Sequence, residues 1–343
     1  MAGERNLVVL IGAGASYDCA SGSVSDFDVE FRPPLTKELF AFRPSFNSIL
    51  KKYPGAESLS DEIRSRVNLG ESIEAVLREI AERPDIKIRR QYWEVLFYLQ
   101  ELLGEIGEKY IRSGVTKFVT LLNAIINAKF DSTLILSLNY DLLVEQAFAR
   151  SENRRFHDLN SYLSQGESPN FIKLHGSANW GRQLLAPVGH GRQMTEILDS
   201  LTGEPQLASV PRVLAGYRET HRFVDGLYHF PALSEPIQGS KHFSCPDVHL
   251  KKARELLSQR FRLLVIGFSG LDEHVLELLR PAPRLENLCV VNGSKQFGME
   301  LINKIPPINN QLIPNWTNRE LEHVHDGGFE SFMRSGSYRG FLS

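Results

Sequence analysis

A chain of 343 residues is long for one compact domain and short for three, so a single core carrying insertions fits it best. With 42% hydrophobic and 23% charged residues it can bury a globular core without disulfides or metals. A formal net charge of -2 excludes any overall attraction for nucleic acid or an anionic membrane, and no run reaches the roughly 20 apolar residues that a bilayer span needs.

Basic residues cluster at Lys87, Arg89 and Arg90, and again at Arg150, Arg154 and Arg155; both groups read as solvated helix faces rather than a nucleic-acid groove. The cysteines Cys19, Cys245 and Cys289 are scattered and form no disulfide framework, which points to a reducing compartment. The apolar run Leu7–Ala15 contains two glycines and leads into no cleavage pattern, so a cytoplasmic location is expected.

Residues 6–11, Asn-Leu-Val-Val-Leu-Ile, have the continuous apolar character of a strand buried on both faces of a parallel sheet. They run into Gly12-Ala13-Gly14-Ala15-Ser16. Residues 18–34 read as loop, and Thr36 is the expected cap of a helix start. From 36 to 129 apolar residues recur at helical spacing, which predicts a helical insertion after the first strand. A strand is expected at 133–138, ahead of Asn139-Tyr140-Asp141 and a helix from Leu142 to Ala149. Another is expected at 171–174, ending in His175-Gly176-Ser177.

Residues 178–250 have weak periodicity and read as a second, irregular insertion with the place of a lid. A helix over 248–258 then precedes strands at 262–266 and 288–291. These end in Gly267-Phe268-Ser269-Gly270 and Asn292-Gly293-Ser294. The tail after Phe329 is expected to be loosely ordered. The predicted fold is therefore α/β: a Rossmann-like parallel sheet with a large helical insertion after strand 1 and a second irregular insertion. The core takes residues 1–35, 130–177 and 251–330.

Five apolar strands thus end in Gly, Asn, His or Ser, and ligands of open parallel sheets bind beyond the carboxyl ends of the strands. The glycine loop suits close approach of backbone amides to a pyrophosphate, although a glycine pair is equally the mark of a tight strand-to-helix turn. Tyr17 occupies the third glycine position of the dehydrogenase fingerprint, and no acid-tipped second strand follows. Hydride transfer is thereby disfavoured.

Asn139 can orient a water or a ribose hydroxyl, while Asp141 fits a helix cap. His175 is a candidate general base. Gly267, Ser269 and Asn292 offer ribose and phosphate contacts, or simply turns, and Asp272 reads as the cap of the helix carrying His274. His242, Cys245 and His249 lie close in sequence but lack a fourth ligand, so no metal site is expected. Ser269 lacks nucleophile-elbow spacing. No Gly-Lys-Ser/Thr phosphate loop is present.

Taken in order, Gly-Ala-Gly-Ala-Ser at 12–16, Leu-Asn-Tyr-Asp at 138–141, Leu-His-Gly-Ser at 174–177, Gly-Phe-Ser-Gly-Leu-Asp at 267–272 and Val-Asn-Gly-Ser at 291–294 resemble the sirtuin superfamily. The branch they look most like is that of bacterial anti-phage defence proteins. The resemblance implies NAD⁺ as substrate, His175 as catalytic base and Asn139 as essential for cleavage. It implies that Gly12, Ala13, Gly14 and Ser16 cradle the pyrophosphate and that Asp141 lies near the nicotinamide pocket. Gly267, Ser269 and Asn292 would then hold phosphate and ribose.

The four zinc cysteines of protein-deacylating sirtuins are missing, and so is their Gly-Ile-Pro-Asp-Phe-Arg stretch. The expected activity is accordingly NAD⁺ hydrolysis to ADP-ribose and nicotinamide. The resemblance also implies a homo-oligomer and a separate sensor subunit, such as a nucleic-acid-handling ATPase or an Argonaute-like protein. Competing expectations are a deacylase or ADP-ribosyl transferase, a non-catalytic NAD or ADP-ribose sensor, and a scaffold in which the polar strand ends are only turns.

Overall fold

The computed structural model describes residues 5–19, 30–112, 116–164, 166–185, 192–221, 223, 227–233, 243–280, 285–305 and 324–343. Its centre is a six-stranded sheet in the order β3-β2-β1-β7-β8-β9. The strands are β1 (Asn6–Ile11), β2 (Ser132–Ser137), β3 (Asn170–Lys173), β7 (Phe261–Ile266), β8 (Leu285–Val291) and β9 (Val324–His325). All five pairings are parallel. Every residue of β1 is buried, because the strand is central and both sheet faces are covered.

Register fixes which ends meet. Ile11 stands beside Ser137 of β2 and Ile266 of β7, so the loops after these three strands leave the sheet at one level. After β1 the chain builds outward through β2 and β3, then returns to the other side of β1 with β7. The switch point of the sheet therefore lies between β1 and β7, where open α/β sheets bind ligands.

Helices Lys117–Ala128, Leu143–Glu152, Asp247–Leu257, Glu273–Leu279 and Lys295–Lys304 pack on this sheet in one continuous apolar cluster. A second cluster holds helices Pro44–Leu50, Pro54–Asn68, Ile73–Glu82 and Ile86–Arg112. The longest of these presents Tyr92, Val95, Leu96, Leu99, Leu102, Leu103 and Ile106, all buried at helical spacing.

Part of the weakly periodic segment 178–250 belongs to a second, antiparallel sheet of β4 (Gly176–Gln183), β5 (Arg212–Val213) and β6 (His229–Leu233). Its strands are short and the β4–β6 register shifts between Gly176 and Gly181, which is why no clean alternation is visible in the sequence. Strand β4 links the two clusters, since Trp180 joins the first and Ala178 the second.

The expectation of a loose tail is corrected. Helices Gly328–Ser335 and Ser337–Leu342 bury Phe329, Phe332, Met333, Tyr338, Phe341 and Leu342 against the main core. The Phe118 and Phe329 rings meet in a tilted contact, centroids 5.1 Å apart. Short helices with only two apolar turns between them carry little periodic signal, so their burial comes from tertiary packing. No helix among the described residues is long and apolar enough to cross a membrane.

Candidate active site

The glycine loop is shaped by its neighbour across the switch point. The Gly12 amide donates to the Ile266 carbonyl at 2.9 Å and the Gly14 amide to the Gly267 carbonyl at 3.0 Å. Gly267 has φ +63, a left-handed conformation that suits glycine, and a Cβ there would stand 2.1 Å from the Ala15 nitrogen. A Cβ on Gly12 would stand 2.6 Å from the Gly267 carbonyl oxygen. The glycines at 12, 14 and 267 thus allow two backbones to touch, which the sequence alone does not distinguish from approach to a phosphate. The five-residue helix Ala13–Tyr17 starts from this contact and places Ser16 beneath the loop.

Ser16, Asn139 and Asp141 form one buried network. Asn139 Nδ2 donates to Ser16 Oγ at 2.7 Å and to the Gly12 carbonyl at 3.1 Å. Ser16 Oγ donates to Asp141 Oδ2 at 2.7 Å. Asp141 Oδ1 accepts the Leu143 amide at 3.0 Å, closing a turn just ahead of helix Leu143–Glu152, whose cap residue is Leu142 and not the Asp141 expected from the sequence. These bonds orient the Asn139 carboxamide and leave its Oδ1 buried with no protein hydrogen-bond partner.

His175 lies at the other end of the same edge. It follows β3 and stands where β4 begins, with Gly176 at φ +87 and a hypothetical Cβ 1.9 Å from the Ala232 carbonyl oxygen. Strand β6 therefore passes too close for any other residue at 176. His175 Nε2 is 2.8 Å from Asp272 Oδ2, and His175 Nδ1 is buried without a protein partner. The ring lies 6.3 Å from those of Tyr140 and Phe243. No hydrogen bond joins Asn139 to His175 among the described residues; the link between them is Tyr140, which follows Asn139 in the chain and has its ring 6.3 Å from that of His175.

Burial is the largest influence on the Asp272 carboxyl and pushes its pKa up. The hydrogen bond and charge of His175 and the Val275 amide outweigh it and hold the group below the ordinary aspartate value. Burial drives the Tyr140 hydroxyl well above its ordinary value, so that ring is neutral.

Beneath the loop after β2 lies a pair that the sequence reading missed. Lys173 is fully buried at the end of β3. Its Nζ bonds Glu145 Oε1 at 2.9 Å, the Tyr140 carbonyl at 3.3 Å and the Asp141 carbonyl. Burial raises the Glu145 carboxyl, an effect that the Lys173 charge and hydrogen bond only partly offset. The visible signal was a lysine inside the otherwise apolar Phe171-Ile172-Lys173-Leu174.

The remaining expected residues are more dispersed. Ser269 is exposed in the loop after β7. Asn292 follows β8, one strand further from β1, and its Oδ1 accepts the Ser294 amide of its own turn at 3.3 Å. Its backbone joins the His325 carbonyl and the Gly328 amide. Of the metal candidates, His242 lies outside the described residues. Cys245 is buried, and His249 Nε2 contacts the Leu159 carbonyl at 2.8 Å. No metal-holding cluster is present among the described residues. A cavity of about 300 Å³ lies elsewhere, lined by Tyr53, Phe97, Glu101 and Leu198 among others, and includes none of the strand-end residues.

Residues 133–288 match the SIR2-like domain family, a span that holds Asn139, Asp141, His175, Gly267, Ser269 and Asp272. No curated protein matches the chain. Among solved structures, the chain is similar to a mutant Sir2 homologue in complex with ADP-ribose, at 11% identity, covering 99% of this chain and 91% of that one with a TM-score of 0.41. It is also similar to Sir2 in complex with the inhibitor EX-527, 2′-O-acetyl-ADP-ribose and a deacetylated p53 peptide, at 12% identity, 99% and 95% coverage and a TM-score of 0.40. A third, described as a structural basis for the mechanism and regulation of Sir2 enzymes, has 14% identity, 98% and 92% coverage and a TM-score of 0.38.

Proposed function

We propose that the chain binds NAD⁺ across the carboxyl edge of its parallel sheet and hydrolyses the nicotinamide–ribose bond. One observation carries this reading: two buried acceptors without protein partners, Asn139 Oδ1 and His175 Nδ1, lie on the same strand-end edge. Leaving such a group unpaired costs about 1–3 kcal/mol, so a fold that keeps two of them along one strand-end edge is arranged for a polar ligand. The SIR2-like match over 133–288 supplies the ligand class.

In this reading the bond from C1′ to the nicotinamide nitrogen breaks, and neutral nicotinamide leaves with the bonding pair. A water oxygen attacks C1′, where charge resembling an oxocarbenium ion develops, and gives its proton to His175. Asn139 Oδ1 orients the attacking water or the ribose hydroxyls. Ser16 and Asp141 fix the Asn139 rotamer and act at one remove. The amides of Gly12, Gly14 and Ala15 already donate to protein carbonyls, so in this reading a pyrophosphate draws on the other amides of the loop. Gly267, Ser269 and Asn292 complete the phosphate and ribose contacts.

The wider reading follows the same resemblance. The chain acts as the effector of a bacterial anti-phage system, as a homo-oligomer held in check by a separate sensor subunit. The segments 36–129 and 178–250 are read as insertions on one core, with helix Lys117–Ala128 of the first packed into that core.

Incubating the purified chain with NAD⁺, alone and with candidate partners, and separating the products by chromatography tests the reaction. Nicotinamide and ADP-ribose in equal amounts are expected. His175→Ala and Asn139→Ala should lower the rate by roughly 10²–10⁴-fold with the fold retained. Undiminished hydrolysis by His175→Ala would contradict the assignment. Nicotinamide release only with an acceptor peptide would instead identify a deacylase or transferase.

A further inference from the structure

One carboxylate serves two partners at this edge. Asp272 Oδ1 accepts the amides of His274 and Val275 at 3.0 and 3.2 Å, which fixes the side chain at the start of helix Glu273–Leu279. Its other oxygen, Oδ2, is 2.8 Å from His175 Nε2. The two residues come from loops after β3 and β7, which are three strand spacings apart in the sheet, about 14 Å. The contact therefore spans the ends of β1 and β2. The helix cap needs only Oδ1, so capping does not account for the second contact.

An ionised carboxylate only accepts hydrogen bonds, so the imidazole nitrogen facing it carries the proton. A neutral imidazole has one N–H, and the lone pair then belongs to Nδ1, the atom buried without a protein partner. The other groups around the ring are the Tyr140 and Phe243 rings, each at 6.3 Å, and His274, which stands against Phe243 at 6.5 Å.

We propose that Asp272 is the positioning residue of the site: it holds His175 as the Nε2–H tautomer, so that Nδ1 is the atom that takes the proton of the attacking water. This rests on the reading of His175 as the base in NAD⁺ cleavage. When that proton arrives, the imidazolium faces the Asp272 carboxylate, which remains ionised and takes no proton itself.

Two variants separate positioning from capping. In Asp272→Asn, an amide whose oxygen keeps the cap presents its NH₂ to Nε2, which drives the imidazole proton to Nδ1. Asp272→Ser keeps a good capping side chain and removes the carboxylate. Nitrogen NMR of ¹⁵N-histidine-labelled protein, above the pH at which the ring is charged, reads the tautomer directly without turnover. The expected wild-type spectrum has His175 protonated at Nε2, and Asp272→Asn reverses it.

In NAD⁺ turnover both variants should lose roughly 10²–10⁴-fold in kcat with KM unchanged. Wild-type protonation at Nδ1 would overturn the proposal. So would an Asp272→Ser protein that keeps its kcat and loses only thermal stability. If the wild type has the Nε2–H tautomer yet releases no nicotinamide, the cleavage reading fails while the orienting contact stands.

Discussion

Lys173 and Glu145 make the sharpest stability test at the scale of single residues. The pair is buried, and Lys173 also holds the Tyr140 and Asp141 carbonyls, so it anchors the loop that presents Asn139. Removing one partner of a buried pair leaves an uncompensated charge and costs about 3–5 kcal/mol. Lys173→Met should therefore destabilise by that amount in denaturant unfolding at neutral pH, and adding Glu145→Leu should recover much of it. Burial raises the Glu145 carboxyl in the folded state, and losing Lys173 removes the group that opposes the rise. A carboxyl raised on folding contributes stability below its unfolded value, about 4.3, and loses it as pH climbs through the folded value. The Lys173→Met deficit should shrink as pH is lowered through that window; a deficit that grows on acidification contradicts the account. The three thiols are buried, and Cys245 and Cys289 are pushed up to about 12, so none is poised to react in the folded protein.

Among the elements, the contact between the loops after β1 and β7 sets the shape of the site. An alanine at 267 would require a left-handed φ and place its Cβ against the Ala15 nitrogen, so the two loops must separate. The strain and the clash each cost on the order of 1–3 kcal/mol. Gly267→Ala should lower the thermal midpoint and weaken NAD⁺ binding together, as calorimetry and titration would read. Gly293→Ala, with nothing within 4 Å of its added Cβ, should leave both unchanged. Loss of binding without loss of stability in Gly267→Ala would mean that the glycine serves the ligand directly.

The strands were legible because β1, β2, β7 and β8 are apolar on both faces and end in distinctive polar residues. The contacts that give those residues roles were not. Asp272 and His175 are nearly a hundred positions apart, and a local reading makes Asp272 a cap, which is half of what it does. Lys173 reads from sequence only as one residue of the strand expected at 171–174, since its partner sits on a helix and pairing is a tertiary fact. The terminal helices were missed because burial of Phe329 and Phe332 depends on the sheet they meet, not on their own period.

At the level of the whole molecule, sheet order makes one site from distant segments. β1 stands between β2 and β7, so residues 12–16, 139–141 and 267–272 reach a single edge, and His175 leans in from β3. The second sheet begins one residue after His175 and packs on the helical layer, which places the proposed base at the joint between the two apolar clusters. A dinucleotide bound there should tie the joint together and raise thermal stability in proportion to RT ln(1 + [L]/Kd), about 2.7 kcal/mol at a hundredfold excess over Kd.

A structure of the Asn139→Ala protein with NAD⁺ tests the central claim most directly. The account predicts the nicotinamide ribose over the ends of β1 and β2, its C1′ facing His175 Nδ1, with the pyrophosphate running toward the Gly12 and Gly267 loops. Dinucleotide lodged instead in the cavity beside Tyr53 and Glu101, or with its ribose turned away from His175, would contradict it.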